Sequence, residues 1–249
     1  MASGLCHKGQ FPPSQRLFRI LAMTHHLPDS IKAVVFDLDG TLIDSEADLR
    51  AAVNRVFDEI GRRPITRNEV VMMVGDGVPK LVERALEATG GLPDDGTDDV
   101  VARFLEFYEG HATDLSQPFP GAQDILRELV AAGARIGLCT NKPEAPAHEI
   151  LEFFGIAKYF GAVVGGDSLP GIRKPDPRHL AAVLEKLGTD PAHAVMVGDN
   201  ANDIQTAQAL GVPAIAVSFG YPRGPIAALN ADVVIDQFDD LWDVLAGLA

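Results

Sequence analysis

The stretch Ala33-Val34-Val35-Phe36-Asp37-Leu38-Asp39-Gly40-Thr41 runs from a β-branched apolar segment directly into two carboxylates. Such a segment predicts a buried strand of a parallel sheet, because strands that are covered on both faces read as continuous apolar runs. The strand would deliver Asp37 and Asp39 to the carboxyl edge of the sheet, where open α/β folds bind ligands. A hairpin turn at Asp39-Gly40 is an alternative interpretation. A calcium loop that begins at Asp37 is excluded by spacing, because it needs its glycine at the sixth position and not at the fourth.

Apolar segments alternate with amphipathic segments over much of the remaining chain. This alternation predicts an α/β fold with a doubly wound, mostly parallel sheet and a Rossmann-like core. We predict strands at Ile31–Phe36, Ala134–Cys139, Ala162–Val164, Ala194–Val197, Pro213–Val217 and Val233–Ile235. We predict the intervening helices at Gly121–Ala132, Pro143–Phe154, Arg178–Leu187, Ala201–Leu210 and Phe238–Leu248.

One long interval, residues 45–118, breaks this alternation, because it contains helical patterns and no convincing strand. A strand-to-strand crossover is normally much shorter. We therefore interpret residues 45–118 as an inserted all-helical domain, the cap, and residues 31–44 and 119–249 as the α/β core. The connections Leu42–Glu46 and Gln117–Pro120 would form a hinge, although a helical lid that only adds core area also fits the pattern. The predicted cap helices are Ala47–Ile60, Arg67–Val74, Val78–Ala88 and Asp98–Thr113.

The composition limits the partners of the protein. It has 21 Lys and Arg residues against 35 Asp and Glu residues, and the formal net charge of −14 argues against nucleic acid and anionic membranes as partners. No apolar stretch reaches transmembrane length. Two cysteines, Cys6 and Cys139, argue against a disulfide framework and favour a reducing compartment, which we take to be the cytoplasm.

The first thirty residues differ from the rest, because they carry Lys8, Arg16 and Arg19 with no acidic residue before Asp29. We interpret residues 1–30 as a disordered N-terminal extension. An overlong start with Met23 as the true initiator and a weak organelle presequence are the alternatives.

Polar side chains also follow other predicted strands. Thr140 and Asn141 stand at the start of a helix, where a hydroxyl and backbone N–H groups favour an anion, although ordinary helix capping explains them equally. Lys174 lies in a proline-flanked loop, where a lysine is usually solvated. Asp199 ends another strand, and Asp203 follows at i+4 on the same helix face, where it could also complement the helix dipole.

The order of these motifs resembles the haloacid dehalogenase-like hydrolases, most of which are magnesium-dependent phosphatases. The resemblance implies that Asp37 is the nucleophile, which forms an aspartyl-phosphate, and that Asp39 is the general acid and base. It also implies that Thr140 and the backbone N–H of Asn141 bind phosphoryl oxygens. Lys174 would balance their charge and orient the nucleophile.

The same resemblance implies a metal site. Its ligands would be Asp37, Asp39, Asp199 and Asp203, the last of them directly or through a water. Two carboxylates roughly 4 Å apart repel by about 4 kcal/mol at an effective dielectric constant of about 20, so these acids need a cation to gather as anions. A site with only oxygen ligands favours Mg²⁺ over zinc.

Segments outside the motifs resemble bacterial phosphoglycolate phosphatases, a group within this superfamily. The resemblance implies hydrolysis of 2-phosphoglycolate, a small phosphorylated carboxylic acid, to glycolate and phosphate. We expect Lys80, Arg84 or the backbone around Gly75–Gly77 in the cap to meet the substrate carboxylate, although a solvated helix face also explains both side chains. The segments are Ser45–Gly61, Val74–Gly77, Leu81–Leu86, Pro118–Gly121, Cys139–Pro143 and Val164–Asp167.

Other functions remain open at this point. A broader sugar-phosphate phosphatase or a β-phosphoglucomutase would share the core motifs and differ in the cap. A signalling receiver module also combines a phospho-accepting aspartate with Mg²⁺, but the long helical insertion argues against it. A non-catalytic phosphate-binding protein is disfavoured by the intact set of motif residues. The sequence leaves open whether the protein is a monomer or a homodimer.

Overall fold

The computed structural model of the protein describes residues 25–221 and 223–248. Its strands, in chain order, are β1 (Ala33–Phe36), β2 (Ile43–Asp44), β3 (Gln117–Pro118), β4 (Arg135–Cys139), β5 (Phe160–Val164), β6 (Ala194–Gly198), β7 (Ala214–Val217) and β8 (Val233–Ile235). Its α-helices are α1 (Glu46–Glu59), α2 (Arg67–Val71), α3 (Val78–Thr89), α4 (Asp98–Tyr108), α5 (Ala122–Ala131), α6 (Glu144–Phe153), α7 (Pro177–Leu187), α8 (Ala201–Leu210) and α9 (Leu241–Gly247).

Six strands form the central sheet, in the order β5-β4-β1-β6-β7-β8. All neighbouring pairs are parallel. The quoted apolar segment is β1 at the middle of the sheet, where all four of its residues are buried. The predicted α/β fold with a parallel, doubly wound sheet is therefore confirmed.

Two apolar clusters cover the two faces of this sheet. Val34 and Phe36 of β1 belong to one cluster, together with apolar residues of α5, α6 and α9. Ala33 and Val35 belong to the other cluster, together with residues of α7 and α8. Successive side chains of a strand point to opposite faces, so β1 is anchored from both sides and holds the residues that follow it at a fixed position.

The interval 45–118 contains four helices, α1 to α4, which share an apolar interior that includes the fully buried Phe57, Leu86 and Phe104. Two of them are shorter than predicted. α2 ends at Val71, because the chain passes through tight turns into Gly75, which has a positive φ of +117°. α4 ends at Tyr108 because Glu109 has an extended backbone with a ψ of +125°, and Gly110 then turns the chain with a left-handed φ of +72°.

The two connections between the cap and the core form a structure that the sequence did not predict. β2 and β3 pair as a short antiparallel ribbon, with Ile43 opposite Pro118 and Asp44 opposite Gln117. Two-residue strands are too short for an alternating pattern to be recognised. The predicted hinge segments are therefore joined side by side.

The predicted N-terminal extension is described only in part, because residues 1–24 lie outside the described residues. The His25 ring stacks on Trp242 with ring centroids 4.6 Å apart, and the Ile31 N–H donates to Pro28 O at 2.9 Å. Contacts with the core thus begin before the predicted boundary at residue 31. In the described ranges, every helix is too short or too polar to cross a membrane.

Candidate active site

Three buried carboxylates meet where two central strands end. Asp37 follows β1, Asp199 follows β6, and Asp203 lies in the first turn of α8. One carboxylate oxygen from each of them lies within 4.8 Å of the others. The parallel pairing of β1 with β6 produces this meeting, because the carboxyl ends of neighbouring parallel strands lie at the same sheet edge.

Lys174 supplies the positive charge of this cluster. Its ammonium Nζ lies 2.8 Å from Asp37 Oδ1 and 2.5 Å from Asp203 Oδ1. The lysine is nearly fully buried, and its two acidic neighbours outweigh that burial and raise its pKa. Lys174 is therefore a fixed cation beside Asp37.

One lysine does not neutralise three carboxylates. Burial, and then the nearby Asp203, raise the pKa of Asp37 to about 7, although Lys174 acts in the opposite direction. Burial, Asp203 and Asp37 also raise the pKa of Asp199 well above its ordinary value. A bound cation would relieve this repulsion, and three buried carboxylates that offer only oxygen atoms fit a hard divalent cation.

Backbone N–H groups and the Asn200 side chain hold Asp199 and Asp203 in place. Asp199 Oδ2 accepts a hydrogen bond from the Tyr221 N–H at 2.7 Å, and its Oδ1 accepts one from Asn200 Nδ2 at 3.0 Å. Asp203 Oδ2 accepts from the N–H groups of Asp199 and Asn200, both at 3.1 Å. Asp203 is thus both a member of the acidic cluster and the N3 residue of the capping box of α8, whose N-cap is Asn200. Its place in the first turn of α8 also agrees with the alternative role considered from the sequence, an acid that complements the helix dipole.

Asp39 has different partners from Asp37, although only Leu38 separates the two. Asp39 Oδ1 accepts from Ser45 Oγ at 2.5 Å and from Lys142 Nζ at 3.0 Å. The Asp39 side chain does not belong to the three-carboxylate cluster. The two aspartates of the motif thus lie in separate electrostatic environments.

Lys142 is a site residue to which the sequence analysis gave no role. Its Nζ contacts Asp39 and donates to the Tyr108 hydroxyl at 2.7 Å, and its side chain is only 2% exposed. Tyr108 comes from the last turn of α4 and so brings a cap residue into the site. Lys142 follows Thr140 by two residues, just after the end of β4. This position at the carboxyl edge of the sheet is the sequence feature that could have identified Lys142 as a site residue.

Thr140 and Asn141 both line the pocket beside Asp37. Thr140 Oγ1 accepts from the Lys142 N–H at 3.2 Å. The side chain of Asn141 donates to Gly75 O in the cap and to Lys174 O, at 2.9 and 3.0 Å, and accepts from the Lys174 N–H at 2.9 Å. Asn141 therefore connects the cap loop and the lysine loop through its side chain.

The two cap cations proposed from the sequence lie elsewhere. Lys80 is half-exposed and pairs with Glu83 at 2.7 Å. Arg84 pairs with Asp76 at 2.5 Å and donates to Met73 O at 2.9 Å. Neither residue lines the pocket, so the structure does not bring either of them to the other site residues.

A narrow pocket separates the cap from the acidic cluster. Its cavity volume is about 40 Å³, room for a few water molecules. The wall is mostly apolar, and within residues 25–221 and 223–248 Lys142 is the single cationic residue that lines it. The lining residues are Asp37, Asp39, Leu49, Val74, Gly75, Gly77, Val78, Leu81, Leu105, Tyr108, Thr140, Asn141, Lys142, Pro143 and Pro146.

The fold and the site define a class of hydrolase. A parallel sheet carries acids and a lysine at its carboxyl edge, and inserted helices cover that edge. The family model described as haloacid dehalogenase-like hydrolase matches residues 31–211 of the chain. The chain therefore belongs to the haloacid dehalogenase-like hydrolases.

Individual relatives agree with this assignment. The phosphoglycolate phosphatase of Rhodospirillum rubrum is 45% identical, over 86% of this chain and 90% of that protein. The phosphoglycolate phosphatase of Agrobacterium fabrum strain C58 is 40% identical, over 85% of this chain and 91% of that protein. The crystal structure of a predicted phosphoglycolate phosphatase from Haemophilus somnus 129pt has a TM-score of 0.81 at 31% identity and covers 86% of this chain and 98% of that one. The chain is an enzyme, a phosphoric monoester hydrolase.

Proposed function

We propose that the protein hydrolyses 2-phosphoglycolate to glycolate and inorganic phosphate, with Mg²⁺ as its cofactor and an aspartyl-phosphate as its intermediate. The observation that carries the proposal is the different pairing of two neighbouring carboxylates. Asp37 pairs with Lys174 inside the acidic cluster, whereas Asp39 pairs with Lys142 outside it. Carboxylates in different environments can take different roles in one reaction.

The first step uses Asp37 as the nucleophile. A carboxylate oxygen of Asp37 forms a bond to phosphorus, and the bond from phosphorus to the glycolate oxygen breaks. Lys174 favours the ionised form of Asp37 and orients it through a 2.8 Å contact. Asp39 enters this step protonated and transfers its proton to the leaving oxygen.

The second step regenerates the enzyme. Water attacks the phosphorus of the aspartyl-phosphate, and Asp39, now a carboxylate, takes a proton from that water. The bond between phosphorus and Asp37 breaks and returns the free carboxylate. Thr140 and the backbone N–H of Asn141 hold phosphoryl oxygens in both steps. Their place beside Asp37 in the pocket lining supports this role.

Mg²⁺ is the metal that we propose, because the cluster offers only buried carboxylate oxygens. A bound divalent cation would compensate the charge between the phosphoryl group and the acids. Asp37 and Asp199 would hold it directly. Asp203 would act through a water, since its oxygens are engaged by Lys174 and by backbone N–H groups. We do not retain the Asp39 side chain as a ligand, because Ser45 and Lys142 hold it.

The substrate assignment is supported by the relatives' names and by the size of the pocket. The relatives from R. rubrum and A. fabrum are phosphoglycolate phosphatases. The small cavity and its mostly apolar wall favour a short ester over a sugar phosphate with many hydroxyl groups. We do not retain Lys80 or Arg84 in the substrate site, because Glu83 and Asp76 engage them.

We propose a reducing compartment, the cytoplasm, as the setting of this reaction. Cys139 is a buried free thiol, so the described part of the chain gives no sign of disulfide chemistry. The net charge of −14 disfavours nucleic acid as a substrate.

A phosphate-release panel tests the substrate and the metal together. We expect the highest kcat/KM for 2-phosphoglycolate among small phosphorylated acids, sugar phosphates and nucleotides, and loss of activity after treatment with EDTA that is restored by Mg²⁺. Asp37→Asn should abolish release, whereas Glu83→Gln, on the exposed surface of the cap, should not change it. A higher kcat/KM for a sugar phosphate would contradict the substrate assignment.

The intermediate has its own test. With p-nitrophenyl phosphate the leaving group needs no proton, so Asp39→Asn should still form the aspartyl-phosphate but hydrolyse it slowly. Mass spectrometry of the quenched variant should then find one phosphoryl group on Asp37. Rapid steady turnover without a phosphorylated Asp37 would contradict the mechanism.

A further inference from the structure

We infer that Lys142 and Tyr108 together bind the carboxylate of the substrate, one from the core and the other from the cap. This inference deepens the proposed function and rests on it. It replaces Lys80 and Arg84, which lie outside the pocket.

The distribution of charge in the pocket gives the first argument. Phosphoglycolate carries a carboxylate in addition to its phosphoryl group, and a carboxylate that loses water needs a cation or several donors. Lys174 is already shared between Asp37 and Asp203. Among the described residues that line the pocket, Lys142 is the one cation.

The donors of Lys142 give the second argument. An ammonium group has three N–H donors. The Lys142 ammonium contacts Asp39 through both carboxylate oxygens, at 3.0 and 3.2 Å, and donates to the Tyr108 hydroxyl at 2.7 Å. Two of these three contacts go to the same carboxylate, so one N–H directed between the two Asp39 oxygens keeps this ion pair and leaves one donor for a third group.

Tyr108 gives the third argument. Its hydroxyl accepts from Lys142, and in the described part of the chain no acceptor takes the proton of that hydroxyl. The ring is buried and stacks on Phe104 with centroids 5.4 Å apart, which fixes its direction. A phenol and an ammonium side by side form a pair of donors suited to the two oxygens of one carboxylate.

The position of this pair limits the length of the substrate. Lys142 contacts Asp39, the proposed proton donor to the leaving oxygen. A substrate carboxylate that binds Lys142 therefore lies close to the leaving oxygen of the ester. In a two-carbon acid such as phosphoglycolate, one methylene group separates the carboxylate from that oxygen. The apolar Leu49, Val78 and Leu105 line the remaining wall and offer no partner to a longer hydroxylated chain.

Binding of two phosphonates tests the inference without turnover. In 3-phosphonopropionate a methylene group replaces the bridging oxygen of phosphoglycolate, and in propylphosphonate a methyl group also replaces the carboxylate. We expect titration calorimetry in the presence of Mg²⁺ to show that the wild type binds 3-phosphonopropionate more tightly than propylphosphonate, and the ratio of the two dissociation constants measures this preference. Tyr108→Phe should reduce this preference by about 10-fold or more, the size expected when a charged group loses a hydrogen bond.

Lys142→Met should reduce the preference further, and the phosphonates avoid the effect of this change on proton transfer by Asp39. If Lys142→Met does not fold, the result for Tyr108→Phe alone decides whether the pair binds the carboxylate. Lys80→Met and Tyr159→Phe are matched controls that lie outside the pocket, and both should keep the wild-type preference.

Two outcomes separate the inference from the proposed function. If the wild type hydrolyses phosphoglycolate selectively and Tyr108→Phe keeps the full preference for 3-phosphonopropionate, the inference is wrong and the function stands. If the wild type shows no selectivity for phosphoglycolate in the phosphate-release panel, the proposed function fails first.

Discussion

Gly40 lies so close to Asp199 that a Cβ atom on residue 40 would be 2.2 Å from Asp199 Oδ2. Gly40 also has a φ of +86°, a backbone conformation that other residues rarely adopt. The glycine of the first motif therefore gives the chain a tight turn and at the same time leaves space for the carboxylate that follows β6.

Gly40→Ala should damage both the fold and the metal site. Left-handed strain and overpacking together should lower the free energy of unfolding by about 3 kcal/mol or more. The displaced Asp199 should also abolish the rise in melting temperature on addition of Mg²⁺. Calorimetry with and without Mg²⁺ measures both effects.

Gly61→Ala is the matched control, because Gly61 also has a positive φ, of +67°, but no atom would lie within 4 Å of its new Cβ. Backbone strain alone should lower the free energy of unfolding of this variant by about 1 kcal/mol. Its melting temperature should still rise on addition of Mg²⁺. Equal losses in the two variants would show that strain alone explains the need for Gly40.

Asp199→Asn should stabilise the metal-free protein. The raised pKa of Asp199 means that the folded state at pH 7 either keeps an unfavourable charge or takes up a proton, and the amide removes this cost. We expect a higher free energy of unfolding at pH 7, and this gain should shrink as the pH falls toward the ordinary pKa of the carboxyl, where the unfolded chain also takes up the proton.

The same variant should lose most of the stabilisation by Mg²⁺, because one of the two proposed direct ligands becomes neutral. Urea unfolding at several pH values, with EDTA or Mg²⁺, measures both effects. Asp124→Asn is the control, since Asp124 pairs with Arg127 on the surface and is 65% exposed. A destabilised metal-free Asp199→Asn protein would contradict the repulsion argument.

The core of the fold could be predicted because each of its elements carries its own local signal. β1 is apolar at every position, β6 is buried at every position, and β4 is buried after its first residue, Arg135. The carboxyl ends of parallel strands meet at one edge, so strand positions alone place Asp37, Thr140 and Asp199 near one another.

The contacts between cap and core could not be predicted in the same way. Tyr108 reaches Lys142 across 34 positions of sequence, and Asn202 reaches Asp76 across 126. Such contacts depend on how the helices of the cap pack over the sheet, and no local pattern records that packing. The place of Lys80 in the sequence, after the glycine loop, does not record where its side chain points, and in the structure that side chain pairs with Glu83.

Asp76→Asn should loosen the cap loop against the core. Asp76 pairs with Arg223 at 2.5 Å and accepts from Asn202 Nδ2 at 2.5 Å, and both partners belong to the core. Asparagine keeps the size of the side chain but removes the negative charge that holds the Arg223 guanidinium. We expect amide hydrogen exchange in residues 72–78 to rise by about 10-fold, the factor that corresponds to a loss of about 1.4 kcal/mol.

Glu83→Gln is the control for this change, because it removes a carboxylate from an exposed pair with Lys80, and such pairs contribute little. Its exchange pattern should match that of the wild type. Unchanged exchange at residues 72–78 in Asp76→Asn would show that apolar contacts, and not the ion pair, hold the loop.

His179 should make the stability of the protein depend on pH between about 6.5 and 4. Its ring is fully buried, with Nε2 2.9 Å from Gly165 O and Nδ1 3.6 Å from Cys139 Sγ. Burial lowers the pKa of His179 from 6.5 to about 4. Below pH 6.5 the unfolded chain binds a proton that the folded protein refuses, so the free energy of unfolding falls as the pH falls.

Between pH 7 and pH 5, the wild type should therefore lose about 2 kcal/mol more than His179→Gln, which has no titrating ring at this position. Urea unfolding at the two pH values measures the difference, and the comparison cancels the carboxylates that both proteins share. His148→Gln, a change at a half-exposed histidine, should lose as much as the wild type. If His179→Gln loses as much stability as the wild type, the buried ring is protonated in the folded state without cost, and burial does not lower its pKa as inferred from the structure.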